Sequence, residues 1–221
     1  MSFLVVANFK SNKTLAELKT WLDAVSPSPN AVIAPSFPHL PYAVSRKPFA
    51  LAAQDVSPFP PGSYTGAVSA RELKELGVSY AIVGHSERRR YFHETDVDVA
   101  SKVRELVSED ITPLLCLDEK DLASQLSALD AQLAAHCYFC FEPTQSIGGT
   151  AAASDEDITH FKTKLHEFYP DATFIYGGSV NQDNIDSLLK LGLDGVLVAT
   201  ASLDPAHYLS ILAKVSHADR S

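Results

Sequence analysis

The chain has 221 residues, 46% of them hydrophobic, enough to bury a substantial core in one large domain or two small ones. Its 27 acidic against 18 basic side chains leave a formal charge of −9, which argues against nucleic acid or an anionic membrane as a partner over most of the surface. No apolar run approaches the length of a membrane span, and Met1-Ser2-Phe3-Leu4 enters a strand-like stretch without a basic leader, so a soluble cytoplasmic protein is expected.

Phe3 to Asn8 reads as the first strand, and Thr14-x-x-Glu17 behind it is a capping box that opens a helix. Ala31 to Ala34 is the second strand; Pro35, Pro38 and Pro41 crowd its exit and predict a loop with a short helix from about Pro38. Phe49 to Ala53 is the third. Asp55 to Val68 follows as the longest non-periodic stretch, and Pro58, Pro60, Pro61 and Gly62 suit it to an ordered, projecting loop. Ser69-x-x-Glu72 caps the next helix and Gly77 stops it before the fourth strand, Tyr80 to Gly84. Thr112 to Leu117 is the fifth. Leu122, Leu126, Leu129 and Leu133 then line one helical face ahead of the sixth strand, Cys137 to Phe141. Ile158, Phe161, Leu165 and Phe168 line another ahead of the seventh, Thr173 to Tyr176. Gly192 stands at a helix end before the eighth, Gly195 to Val198, and Asp204-Pro205 opens the last helix.

Strands alternating with amphipathic helices signal a parallel sheet, and eight is the number that closes one into a barrel. The expected fold is therefore α/β, a (β/α)8 barrel of eight parallel strands with surrounding helices. No composition break or long polar linker interrupts the series, so residues 1–221 are expected to form a single barrel domain. Cys116, Cys137 and Cys140 are too few and too unevenly spaced for a disulfide framework. Cys137 and Cys140 have the spacing of a dithiol motif, but residues three apart in a strand face opposite sides, so buried thiols are expected instead.

Barrel chemistry sits on the loops after the carboxyl ends of the strands. Polar residues gather there: Asn8-Phe9-Lys10 after the first strand, Gly84-His85-Ser86-Glu87-Arg88-Arg89 at the fourth and Glu142-Pro143 after the sixth. Tyr176-Gly177-Gly178-Ser179-Val180 ends the seventh and Ala199-Thr200-Ala201-Ser202 the eighth. Taken with Cys116 followed by Glu119, and in this barrel order, the set closely resembles the triosephosphate isomerase family over nearly the whole chain.

The resemblance implies a glycolytic and gluconeogenic isomerase that interconverts D-glyceraldehyde 3-phosphate and dihydroxyacetone phosphate through an enediolate, with no metal and no organic cofactor. Aldose–ketose isomerisation needs a base to take a carbon-bound proton beside a carbonyl, and Glu142 fills that role by resemblance. His85 becomes the electrophile, kept neutral by helix N-terminal amides, and Lys10 supplies positive charge in an otherwise negative protein. Asn8 contacts substrate or holds Lys10 and His85. Glu87 orders Lys10, Ser86 accompanies His85, and Cys116 packs behind the base. Gly148, Gly178, Ser179, Ala199 and Thr200 correspond to the phosphate site, although the family usually has two glycines where Ala199 and Thr200 stand. Pro143 to Ala153 resembles the closing lid, with Gln145 in place of the usual tryptophan and departures at Gly149, Thr150 and Ala151. Gly62-Ser63-Tyr64-Thr65-Gly66 resembles the segment that enters a neighbouring subunit, with Thr65 as the dimer contact, so a homodimer follows. Two alternatives stay open at this point: another phosphate-binding barrel enzyme acting on a larger substrate, and a catalytically weak relative kept as a binding protein.

Overall fold

The computed structural model describes residues 3–46, 49–143 and 152–218. Within them lie eight strands: β1 Leu4–Asn8, β2 Ala31–Ala34, β3 Ala50–Ala53, β4 Tyr80–Val83, β5 Thr112–Leu117, β6 Tyr138–Phe141, β7 Thr173–Tyr176 and β8 Gly195–Val198. They form a closed barrel in chain order, β8 pairing back onto β1 in parallel. The expected (β/α)8 barrel is the fold found.

Each strand is buried on both faces, which explains why its sequence is a continuous apolar run rather than an alternation of apolar and polar residues. Leu4 and Val6 of β1 join Val32, Ile82, Leu114, Cys116, Cys140 and Leu197 in a cluster inside the barrel. Val5 and Ala7 point the other way, into the layer between strands and helices, with Trp21, Phe161 and Tyr208. Cys137 lies in that outer layer and Cys140 in the inner one, opposite faces as the strand period requires.

The capping boxes at Thr14 and Ser69 are present, and Thr95 with Asp98 and Ser154 with Asp157 form two more. Gly77 and Gly192 adopt the left-handed conformation expected of them. Asp204 Oδ1 accepts from the Ala206 amide at 2.7 Å and starts helix Pro205–Ala218. The exit of β2 forms a 3-10 turn, Phe37–His39, leading into helix Leu40–Arg46. One helical face is broken: Leu122–Ser127 and Ala131–Ala134 are separate short helices. Asp130 divides them by capping the second through the Gln132 amide at 2.7 Å. Leu129 is nevertheless buried, so the apolar spacing marked the packing face but not the interruption. Phe168, at the end of helix Asp155–Phe168, is exposed while Ile158, Phe161 and Leu165 are buried. Among the described residues no helix is long and apolar enough to cross a membrane.

Candidate active site

The ends of β1, β4 and β6 bring Asn8, Lys10, His85, Glu87 and Glu142 together. Asn8 closes β1 and is buried; its Oδ1 accepts the Lys10 amide at 3.0 Å. Lys10 has a left-handed backbone, φ 48°, a conformation that costs a non-glycine residue roughly 1–3 kcal/mol and has to be held from outside. Gln54, just past β3, supplies that hold: its Nε2 donates to the Lys10 carbonyl at 2.9 Å and to the Ala34 carbonyl at 2.8 Å. The Lys10 ammonium meets Glu87 Oε1 at 2.6 Å.

His85 caps helix Ser86–Phe92, its Nδ1 accepting the Glu87 amide at 3.2 Å. With Nδ1 acting as acceptor, the proton of a neutral ring belongs on Nε2. Nε2 faces Glu142 Oε1 at 3.2 Å, and both residues are more than nine-tenths buried, 6% and 3% exposed. Burial pulls the His85 pKa down, but the charge and hydrogen bond of Glu142 outweigh it and hold the imidazole above its ordinary value, with Lys10 opposing and Glu87 reinforcing. The helix amide expected to disfavour imidazolium is there, since an Nδ1–H would have to face the Glu87 N–H. In the resting pair the neighbouring carboxylate overrides it.

Glu142 stands directly after β6, its amide donating to the Leu117 carbonyl at 3.0 Å. Its Oε2 and the Ser86 hydroxyl are both buried without a hydrogen-bond partner among the described residues. Cys116 is buried beside the carboxylate, and its pKa is raised, chiefly by burial.

Gly178 follows β7 with no room for a side chain: a Cβ there would lie 2.0 Å from the Tyr176 hydroxyl. That hydroxyl accepts the Ala153 amide at 2.9 Å, tying the end of the sixth loop to β7. The carbonyl of Ser179 accepts from Asn184 Nδ2 at 2.7 Å. Ala199 and Thr200 begin a 3-10 turn, Thr200–Ser202, off β8, and the first amides of such a turn are left without partners inside it. Trp21 Nε1 donates to the Ser202 carbonyl at 2.9 Å and anchors the turn. Gly148, with Gln145, Gly149, Thr150 and Ala151 of the segment expected to form a lid, lies outside the described residues. Thr65 is exposed in the Asp55 to Val68 loop, where Phe59 and Tyr64 stack at 4.5 Å and the Ser57 amide donates to the Val68 carbonyl at 2.8 Å.

The segment after β4 is braced from behind. Arg88 meets Asp55 at 2.7 Å and Lys102 meets Asp55 at 2.6 Å, while Glu94 pairs with both Arg88 and Lys102. Burial raises the Asp55 pKa, and Lys102 and Arg88 counteract it. This network borders a cavity of about 490 Å³ that has neither His85 nor Glu142 in its lining, so this hollow and the His85–Glu142 pair are separate places. Sequence reasoning passed over both Gln54 and this network, because nothing local to Gln54, Asp55 or Lys102 distinguishes them from ordinary polar residues.

A buried carboxylate facing an imidazole, with an ammonium beside them at the carboxyl ends of parallel barrel strands, defines the class: a barrel enzyme equipped for acid–base chemistry. The family model described as "Triosephosphate isomerase" matches residues 3–215. A triosephosphate isomerase of Thermus thermophilus is 37% identical over 242 residues, covering 95% of this chain and 97% of the relative. Those of Mesomycoplasma hyopneumoniae and Orientia tsutsugamushi are each 33% identical, covering 96% and 99% of this chain and 99% and 100% of the relatives. The chain belongs to the triosephosphate isomerase family.

Proposed function

We propose that this protein interconverts D-glyceraldehyde 3-phosphate and dihydroxyacetone phosphate, with Glu142 as base and His85 as electrophile. The observation that carries the reading is the buried pair itself, Glu142 Oε1 at 3.2 Å from His85 Nε2. The Glu142 carboxylate takes the proton from the carbon beside the substrate carbonyl, while the Nε2–H of neutral His85 donates to the oxygen on which charge develops. The same carboxylate then returns the proton to the adjacent carbon, so no proton is gained or lost overall. Substrate entering between the two residues separates imidazole from carboxylate. That removes the influence raising the His85 pKa and leaves the Glu87 amide to favour the neutral ring.

Lys10, ordered by Glu87 and held by Asn8, stabilises the negative charge of substrate and enediolate. Backbone amides of Gly148, Gly178, Ser179, Ala199 and Thr200 grip the phosphate, and Pro143 to Ala153 closes over it to keep water out. The same reading makes residues 1–221 one domain acting in the cytoplasm without organic cofactor or metal, with no nucleic-acid or membrane partner. It pairs two copies through the loop that carries Thr65.

A coupled assay converting glyceraldehyde 3-phosphate to dihydroxyacetone phosphate tests the reading on wild type and Glu142→Gln. Wild-type turnover reduced by about 10²–10⁴-fold or more in a folded variant is the expected result. A folded wild type without turnover would overturn it. Sedimentation of wild type beside a variant with residues 55–68 shortened tests the dimer, and a monomeric wild type at high concentration would refute it.

A further inference from the structure

The seam between β5 and β6 holds a group of donors that isomerisation does not require. Cys116 and Cys140 are register partners on these parallel strands, and both lie in the cluster inside the barrel. Their Sγ atoms and a carboxylate oxygen of Glu142 lie within 4.8 Å of one another, and all three residues are buried. A second observation points the same way: Glu142 Oε1 is engaged with His85, whereas Oε2 is buried without a hydrogen-bond partner among the described residues. Gly177 keeps the space beside them open, since a Cβ at that position would stand 2.6 Å from Cys140 Sγ and 2.9 Å from Glu142 Cγ. A cavity of about 290 Å³, lined by Ser86, Cys116, Gln125 and Glu142 among others, provides an access route to two of the three donors.

We propose that Cys116, Cys140 and Glu142 form an inhibitory site for a thiophilic divalent cation of the zinc or cadmium type. Two thiolates and a carboxylate suit a borderline-soft ion, and three protein ligands leave a fourth position for water. Zinc takes sulfur at about 2.3 Å and oxygen at about 2.0–2.2 Å, so tetrahedral sulfurs stand about 3.8 Å apart. Side-chain rotations that draw the donors together by up to roughly an ångström build the site. The step balances without redox change: the cation binds one carboxylate and two thiols, and the thiols release two protons. The Glu142 carboxylate, now a ligand, no longer accepts a substrate proton. That consequence rests on Glu142 being the base, whereas the binding itself does not.

Cadmium chloride titrated into the reduced full chain tests both parts. A thiolate-to-cadmium charge-transfer absorption should saturate at one ion per chain, isomerase activity should fall in step with it, and EDTA should restore activity. Cys140→Ala, and Cys140→Ser should the first fail to fold, should turn over like wild type, lose the absorption and resist inhibition by at least about tenfold, the lower end of even an outer-shell change. Cys137→Ser should behave as wild type. No absorption in folded wild type, or absorption and inhibition that persist without Cys140, overturns the site. Absorption that depends on Cys140 in a protein that never isomerises triose phosphates supports the cation site while sinking the isomerase reading.

Discussion

Gln54→Met removes the amide that donates to the carbonyls of Lys10 and Ala34 while keeping a chain of similar length. Each of the two bonds is worth about 0.5–1.5 kcal/mol net, so their joint loss costs about 1–3 kcal/mol. That is the same size as the strain of Lys10 at φ 48°, and losing the hold lets the backbone relax toward negative φ. Lys10 then turns away from Glu87. A shift of about 1–3 kcal/mol between the two backbone states lowers the ratio of ordered to relaxed lysine by roughly 5- to 150-fold. Urea unfolding followed by circular dichroism reads the stability loss, and steady-state kinetics with glyceraldehyde 3-phosphate should show kcat/KM falling by a factor that this ratio change bounds from above. The control is a cycle with Lys10→Ala: once the ammonium is gone, Gln54→Met should cost little further activity. A variant that loses stability but keeps kcat/KM, or a cycle in which the two activity losses simply add, would refute the idea that Gln54 acts by holding Lys10.

Lys102→Met leaves Asp55 and Glu94 buried without their ammonium, and a drop of about 3–5 kcal/mol in unfolding free energy is expected, measured by denaturant titration. A loss below 1 kcal/mol, on the scale of an exposed pair, would contradict the buried network. Glu142→Gln should lower the His85 pKa, followed by NMR of the ring protons, because it removes the charge that outweighs burial. Since the folded pKa lies above the unfolded one, the stability due to this pair is fully present below about pH 6.5 and is lost as pH rises through the raised value. A stability difference between wild type and variant that grows with rising pH would contradict that sign. Gly178→Ala would place a Cβ 2.0 Å from the Tyr176 hydroxyl, forcing that hydroxyl away and breaking its bond to the Ala153 amide. The expected cost is about 1–3 kcal/mol with a raised KM, and an unchanged variant would show that the turn yields freely. Ser154→Ala should cost about 1 kcal/mol through its lost capping box, read as a lowered urea midpoint.

Local regularities made most of the framework legible. Apolar runs of four to six residues between capped helices located all eight strands to within a residue at each end, because the same few side chains that form a strand also bury it on both faces. Glu142, His85 and Lys10 stand out as candidates in the sequence because each lies within two residues of a strand's carboxyl end, where chain order and barrel geometry coincide. The two short helices on either side of Asp130 were less legible, since Leu122, Leu126, Leu129 and Leu133 keep helical spacing through a break made by one capping carboxylate.

Contacts between distant segments belong to the tertiary structure alone. Gln54 reaches Lys10 across 44 positions and Lys102 reaches Asp55 across 47, and no residue adjacent to either one records the partner. Cys116 and Cys140 are separate buried thiols in the sequence. They become neighbours beside Glu142 only because the register of β5 on β6 sets them opposite each other on the inner face. Sequence by itself determined which segments are strands and which residues end them, because those properties follow from periodicity and local hydrogen bonding. Closure of the barrel decided which of those ends meet, since side chains far apart in the chain approach only when the strands between them have paired.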